Sequence, residues 1–165
     1  MPCKDIATIM MSAFSALIIE DFDYRGHGQS SGHFIDCTMH DWVTDASDML
    51  DYDYIGQESN VILIGSSLGA WISLVLAMQR PDEITAVIGI GSAIDFTSDT
   101  YNTKLTDQQR KMWENPVQTS STSNAFEISS PYLDNAYPFT RELYQSGNDY
   151  LTAKTINFPR LHTET

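Results

Sequence analysis

Basic residues are scarce in this chain. Lys and Arg number 9 against 22 Asp and Glu in 165 residues, a net charge of −13 with His neutral. A phosphate backbone would be repelled by that balance, which excludes nucleic acid as a partner. The acids are scattered from Asp36 to Glu58 and beyond, the pattern of a solvated surface and not of an interaction tail. Cysteine is scarcer still. Cys3 and Cys37 are unrelated in spacing, with no C-x-x-C, so neither a zinc site nor a disulfide framework is indicated. No metal or cofactor is called for, and a reducing compartment, the cytoplasm, is the default. Long apolar runs are missing as well. The largely apolar stretch from Ile6 to Ile19 follows a single Lys4, but it is too short to span a bilayer. As a signal peptide, the alternative, it fits poorly, because Asp5 cancels Lys4 and no small-x-small cleavage site follows. It reads instead as the end of a helix over Asp5 to Ser12 and a buried strand over Ala16 to Phe22.

What is present centres on Val61 to Arg80, VILIGSSLGAWISLVLAMQR. Val61 to Ile64 form an unbroken apolar run, as expected for a parallel strand covered on both faces, and Ser67 to Gln79 predict a helix stopped by Pro81. Between them lies Gly65-Ser66-Ser67-Leu68-Gly69, a G-x-S-x-G nucleophile elbow in which a strained strand-to-helix turn pushes the central hydroxyl beyond the sheet. Gly65 and Gly69 flank it because a side chain at either position would crowd the turn, which selects Ser67 over Ser66. The same turn aims the Leu68 backbone N–H, at a helix N-terminus, toward the oxygen that becomes negative when an acyl group is attacked. Leu68 then supplies half an oxyanion hole. The pentapeptide alone is weak, and the strand before it and helix after it are the context it requires.

Around that unit the chain alternates strand and helix. The run from Ala16 leads into Asp23 to Gly32, a Gly- and Ser-rich loop of the kind that lines a ligand crevice. Cys37 to Leu50 carries Met39, Trp42, Val43, Ala46, Met49 and Leu50 at helical spacing, an amphipathic crossover helix whose acids point to water. Ala86 to Gly91 predicts a further strand with Ser92 to Thr97 at its carboxyl end. Two β-loop-α-β units in series imply a parallel sheet. From Asp99 to Thr152 the composition turns to Tyr, Ser, Thr, Asn and Pro, with helices predicted at Thr106 to Trp113 and Thr140 to Gln145, each opened by a Thr cap. Glu114 to Tyr137 has no strong period and is either a cap over a pocket or an irregular connection. Ile156 to His162 looks like the start of another strand.

With the elbow and Phe22-Asp23-Tyr24-Arg25-Gly26-His27-Gly28-Gln29-Ser30-Ser31-Gly32 both in hand, the chain resembles the α/β-hydrolase serine esterases. Gly65 to Trp71, Ala93-Ile94-Asp95-Phe96-Thr97 and Phe158-Pro159-Arg160-Leu161-His162 extend the likeness to the subgroup containing the mitochondrial acyl-protein thioesterase and acyl-glucuronide esterase, with its bacterial relatives. The resemblance implies a three-layer α/β/α core with a mostly parallel sheet and a small cap-like insertion over residues 99–152, all within one partial domain over residues 1–165. Such a sheet takes roughly 200 residues or more, so the core is expected to be incomplete. In the family order the triad runs Ser, acid, His. By the resemblance, Arg160-Leu161-His162 aligns with the strand before the acid loop, so the acid and catalytic His are expected beyond Thr165. The second oxyanion loop is expected ahead of Met1. His27 is expected to support its loop rather than to move a proton. His162, the one His after Ser67, and Asp95 are the weaker triad candidates within the chain.

The function implied is hydrolysis of carboxylic esters or thioesters through an acyl-enzyme on Ser67, impaired in this chain for want of triad members. The substrate would be a small molecule or an acylated protein, with no cofactor, no nucleic acid and no membrane span, and mitochondria would be the alternative compartment. A peptidase or C–C hydrolase on the same fold, and a non-catalytic binding protein that keeps the fold, are the rival readings.

Overall fold

A computed structural model describes residues 20–52, 61–114, 124–129 and 136–152. The predicted helix over Asp5 to Ser12, residues 16–19 of the strand predicted over Ala16 to Phe22, and the strand start predicted at Ile156 to His162 lie outside the described residues; Glu20, Asp21 and Phe22 are not in a strand. After a 3-10 turn at Phe34–Asp36, helix α1 spans Met39–Asp51. Strand β1 (Val61–Ser66) feeds helix α2 (Leu68–Gln79), and strand β2 (Ile84–Ile90) feeds helix α3 (Phe96–Thr103). Helix α4 (Asp107–Glu114), strands β3 (Ala125–Ile128) and β4 (Tyr137–Thr140), helix α5 (Arg141–Gly147) and a 3-10 turn at Asn148–Tyr150 follow.

The parallel pairing inferred from alternating runs is present. β1 and β2 are hydrogen-bonded in parallel, with Leu63 opposite Val87, Ile64 opposite Ile88 and Gly65 opposite Gly89. Leu63 and Val87 pack against the buried core on the α2 side, and a Cβ on Gly89 would stand 3.4 Å from the Ala70 Cβ, so the two glycines admit α2 close to the sheet. The other face differs from expectation. Ile62, Ile88 and Ile90 are 48%, 47% and 42% exposed, because the helices described here pack on one face of the pair.

Helix α1 starts one residue after Thr38, whose hydroxyl accepts from Asp41 N–H while the Asp41 carboxylate accepts from Thr38 N–H, a reciprocal capping box. Its buried stripe of Met39, Trp42, Val43, Ala46 and Leu50 matches the predicted face. The acids do not all point to water, however. Asp41 and Asp45 close on Arg25 and Asp51 pairs with Arg80, so three of the helix's carboxylates are structural. The core lies where α1, α2 and α5 meet, around Trp42, Trp71, Met39 and Leu143. The Met39 N–H donates to the buried Ser146 hydroxyl at 2.9 Å, which in turn donates to Leu143 O at 3.0 Å, so an orphan donor of α1 is satisfied by α5.

The described residues from Asp99 hold more regular structure than their composition suggests. β3 and β4 pair antiparallel, with Phe126 opposite Phe139 and Glu127 opposite Pro138. Pro138 is tolerated because a two-stranded sheet consists of edges. Trp113 stacks between Phe126 at 5.2 Å and Tyr144 at 6.1 Å, and Tyr144 stacks on Tyr101 at 4.0 Å. Both Thr caps act as predicted: Thr140 Oγ1 accepts from Leu143 N–H at 3.0 Å, and Thr106 exchanges hydrogen bonds with Gln109 at the start of α4.

Candidate active site

Ser67 occupies the single residue between β1 and α2, at φ 51° and ψ −116°. A non-glycine residue with positive φ is strained by about 1–3 kcal/mol, and such strain persists only where the surroundings impose it. Here they do. Ser67 N–H donates to Ile90 O at 3.0 Å, and Ser67 C=O accepts from Ala93 N–H at 3.1 Å and Ala70 N–H at 3.2 Å. The backbone is held on both sides while the residue itself stays exposed, and among the described residues no side chain hydrogen-bonds its hydroxyl.

The two elbow glycines differ in what requires them. A Cβ on Gly65 would stand 2.3 Å from Gly69 C and O and 2.4 Å from Ala70 N, so the turn closes only with glycine there. A Cβ on Gly69 would meet Tyr24 Oη alone, at 3.9 Å, which corrects the expectation that both positions exclude a side chain. What crowds the turn is the Gly69 backbone. Leu68, half-buried, opens α2, whose first turn has no acidic residue and no side-chain cap. Its N–H is one of the donors that a helix leaves without an internal acceptor, at the positive end of the helix dipole.

Tyr24 brings the Asp23 to Gly32 loop to the elbow, and that loop is built from within. Gln29 N–H donates to Asp23 Oδ2 at 2.9 Å, and the Ser30 hydroxyl donates to Asp23 O at 2.5 Å. Gly28, at φ 50°, leaves room for that carboxylate. Arg25 is the tie to α1: its Nε and Nη2 donate to Asp45 Oδ1 at 2.8 and 2.6 Å, and its Nη1 donates to Asp41 Oδ1 at 2.9 Å. The hydrogen bond to Asp45 raises the Arg25 pKa, against a smaller opposing effect of burial. The Arg25 carbonyl accepts from Trp42 Nε1–H at 3.1 Å and lies 3.2 Å from His27 Nδ1. The His27 ring meets Phe34 and Trp42 edge to face, each at 5.3 Å. Its ring is thus engaged in holding the loop.

Asp95 lies at the far end of the turn after β2, at φ 56°, and both its oxygens accept from Thr152: Oδ1 from N–H at 2.9 Å and Oδ2 from Oγ1 at 2.6 Å. His162 lies outside the described residues. Sequence reasoning missed His40, whose Nδ1 lies 2.7 Å from Tyr150 Oη and whose Nε2 lies 3.1 Å from Asp149 Oδ2, a cluster joining α1 to the 148–150 turn. Neither the helical period nor any motif flags it. Among the described residues no group of His, Cys, Asp and Glu is placed to hold a metal ion, and no helix is long and apolar enough to cross a membrane.

Comparison with known proteins places these features. Residues 19–140 match the family described as serine aminopeptidase, S33. The mitochondrial palmitoyl-protein thioesterase ABHD10 of Mus musculus is 37% identical over 91 residues, which are 55% of this chain and 30% of the relative. The Homo sapiens protein of the same name is 31% identical over 126 residues, 67% of this chain and 40% of the relative. This chain therefore spans well under half of those two curated relatives. Among solved structures, a protein of Agrobacterium vitis described as a hydrolase superposes with a TM-score of 0.62 at 30% identity, covering 80% of this chain and 49% of that one. The mouse alpha/beta hydrolase domain-containing protein 10 superposes with a TM-score of 0.60 at 29% identity, covering 78% and 48%. With the family matched from residue 19 to 140, and the elbow between parallel strand and helix, the chain belongs to this serine hydrolase family and carries part of an α/β-hydrolase core.

Proposed function

We propose that this chain is the nucleophile-bearing part of a serine hydrolase that cleaves carboxylic esters or thioesters. The observation that carries the reading is the Ser67 backbone, held at a strained positive φ by Ile90 and Ala93 while its hydroxyl stays exposed. In the mechanism, Ser67 Oγ adds to the acyl carbon as its proton passes to a His base. The alcohol or thiol leaves with that proton, and water, deprotonated by the same base, releases the acid and restores the serine. The Leu68 N–H supplies one donor to the tetrahedral oxyanion.

No base is assigned among the described residues. His27 Nδ1 lies against Arg25 O, both His40 ring nitrogens lie against Tyr150 and Asp149, both Asp95 oxygens accept from Thr152, and none of the described His27, His33 and His40 hydrogen-bonds the Ser67 hydroxyl. The triad acid and base are therefore assigned to segments later in the family order, with His162 the weaker candidate within this chain, and the 165 residues alone are expected to turn over slowly. Residues 99–152, with their own antiparallel pair and aromatic stack, serve in this reading as the cap over the acyl pocket.

The names of the relatives favour an acyl thioester, borne by a small molecule or a protein, and a mitochondrial setting over the cytoplasm. The family description favours a second reading, cleavage of an aminoacyl amide by the same nucleophile. Labelling with a fluorophosphonate, followed by peptide mapping, tests the core of the proposal, with modification expected at Ser67 and abolished in Ser67→Ala. Palmitoyl thioesters, p-nitrophenyl esters and aminoacyl p-nitroanilides then separate the substrate classes. A folded chain that turns over any of these substrates yet is labelled at Ser66 or at no serine of the elbow would overturn the assignment of Ser67.

A further inference from the structure

The peptide units that hold Ser67 belong to a turn that has little else to hold it. Ile90, Gly91, Ser92 and Ile94 are exposed, and Gly91, at φ 54°, has no atom within 4 Å of where a Cβ would stand. The near end of the turn is the β2 ladder, and the far end is Asp95. Asp95 is the N-cap residue of α3, a position where a carboxylate ordinarily accepts from the first-turn N–H groups. It accepts from none of them. Both oxygens are committed instead to Thr152, 57 residues away, while the next two residues enter the core: Phe96 meets Trp71 of α2 edge to face at 5.8 Å, and Thr97 is fully buried. A side chain that leaves its own helix uncapped to reach a distant backbone N–H fixes the course of the chain at that point.

We propose that Asp95 and Thr152 are positioning residues for the nucleophile. The carboxylate–threonine lock fixes the 91–95 turn so that Ala93 N–H meets the Ser67 carbonyl, which keeps Ser67 at its strained φ with the hydroxyl facing out. The proposal rests on Ser67 being the nucleophile only for its consequence in catalysis; the lock itself is a statement about backbone hydrogen bonds. It also separates Asp95 from the role of triad acid by chemistry. A lock needs shape and hydrogen bonds, not charge. Asn at this position would still accept from Thr152 N–H through its oxygen, donate to Thr152 Oγ1 through its nitrogen and tolerate the positive φ. A triad acid replaced by its amide instead costs on the order of 10⁴ in kcat.

The experiment compares Asp95→Asn, Asp95→Ala and Thr152→Val in the whole chain, by amide hydrogen exchange of Ser67 and Ala93 and by the rate of fluorophosphonate labelling, with Ser67→Ala as the labelling control. Asp95→Ala and Thr152→Val are expected to speed exchange at both amides about tenfold, the loss of one or two hydrogen bonds, while amides from Ile72 to Leu76 within α2 keep their wild-type rates. Labelling is expected to slow in parallel, and Asp95→Asn to restore both readouts to near wild type. Unchanged exchange in Asp95→Ala and Thr152→Val would overturn the lock, and an Asp95→Asn variant as impaired in labelling as Asp95→Ala would overturn it in favour of a charged role. Labelling that persists in Ser67→Ala would instead strike the nucleophile assignment, leaving the exchange rates to judge the lock alone.

Discussion

Gly65 passes so close to Gly69 that a Cβ on Gly65 would stand 2.3 Å from the Gly69 carbonyl carbon, while a Cβ on Gly69 would find only Tyr24 Oη at 3.9 Å. The two glycines of the elbow therefore carry unequal constraint. Gly65→Ala must push backbone against backbone and is expected to cost at least about 3 kcal/mol. Gly69→Ala lies in the first turn of α2, where Ala is favoured over Gly by up to about 1 kcal/mol, and is expected to be neutral or stabilising. Urea unfolding midpoints of the two variants decide this, and equal losses would show that the turn is not closed as described.

The strain at Ser67 predicts an inverted order of substitutions. Ala is normally preferred to Gly in folded chains, because Gly loses more backbone freedom. At φ 51° that preference reverses, since Gly alone adopts the conformation without cost. Ser67→Gly is expected to be more stable than Ser67→Ala by about 1 kcal/mol, read from thermal unfolding of the two variants. An Ala variant at least as stable as the Gly variant would mean that the elbow relaxes in solution.

The residues that were legible from the sequence are those whose constraint is local. Gly65-x-Ser67 announces a sharp turn, an apolar run announces β1, and Thr106 and Thr140 announce helix starts. What was not legible depends on partners far along the chain. Asp41 and Asp45 look like solvated acids until Arg25, 16 and 20 residues earlier, closes on them. Asp95 looks like a weak triad candidate in a loop until Thr152 takes both its oxygens. β3 and β4 escape notice because four residues are too few to show a period and Pro138 argues against a strand.

Asp41 provides a pH dependence with a definite sign. Burial pushes its pKa up, but the Thr38 hydroxyl and N–H and the Arg25 charge outweigh burial, so the carboxyl titrates below its ordinary value of 3.8. A depressed folded pKa contributes stability that is present above 3.8 and is lost as pH falls below that value through the folded pKa. In Asp41→Asn that contribution is absent at every pH. Melting temperatures recorded from pH 6 to pH 2 should therefore converge between wild type and Asp41→Asn at the acid end, with the wild type higher at pH 6. Parallel curves would remove Asp41 from the acid response.

Thr97 is fully buried, and its hydroxyl is one of two buried side-chain polar atoms among the described residues without a hydrogen-bond partner. It faces Gly147 across the contact of α3 with α5, where a Cβ on Gly147 would stand 2.2 Å from Thr97 Oγ1 and 2.9 Å from Thr97 Cβ and Cγ2. An unpaired buried hydroxyl costs about 1–3 kcal/mol relative to solvent, and Thr97→Val removes that cost while keeping the shape, so it is expected to stabilise by about 1 kcal/mol. Thr97→Ser keeps the orphan oxygen, loses the methyl and is expected to destabilise by about 1 kcal/mol. Gly147→Ala is expected to destabilise by about 2 kcal/mol or more through overlap with Thr97. If that overlap is the cause, Thr97→Ala should recover part of the loss in the double variant, giving a coupling energy of at least about 0.5 kcal/mol. Strictly additive effects of Thr97→Ala and Gly147→Ala in denaturant unfolding, or a Thr97→Val variant less stable than wild type, would show that the hydroxyl is satisfied and that the α3–α5 contact is looser than the close approach of these two residues requires.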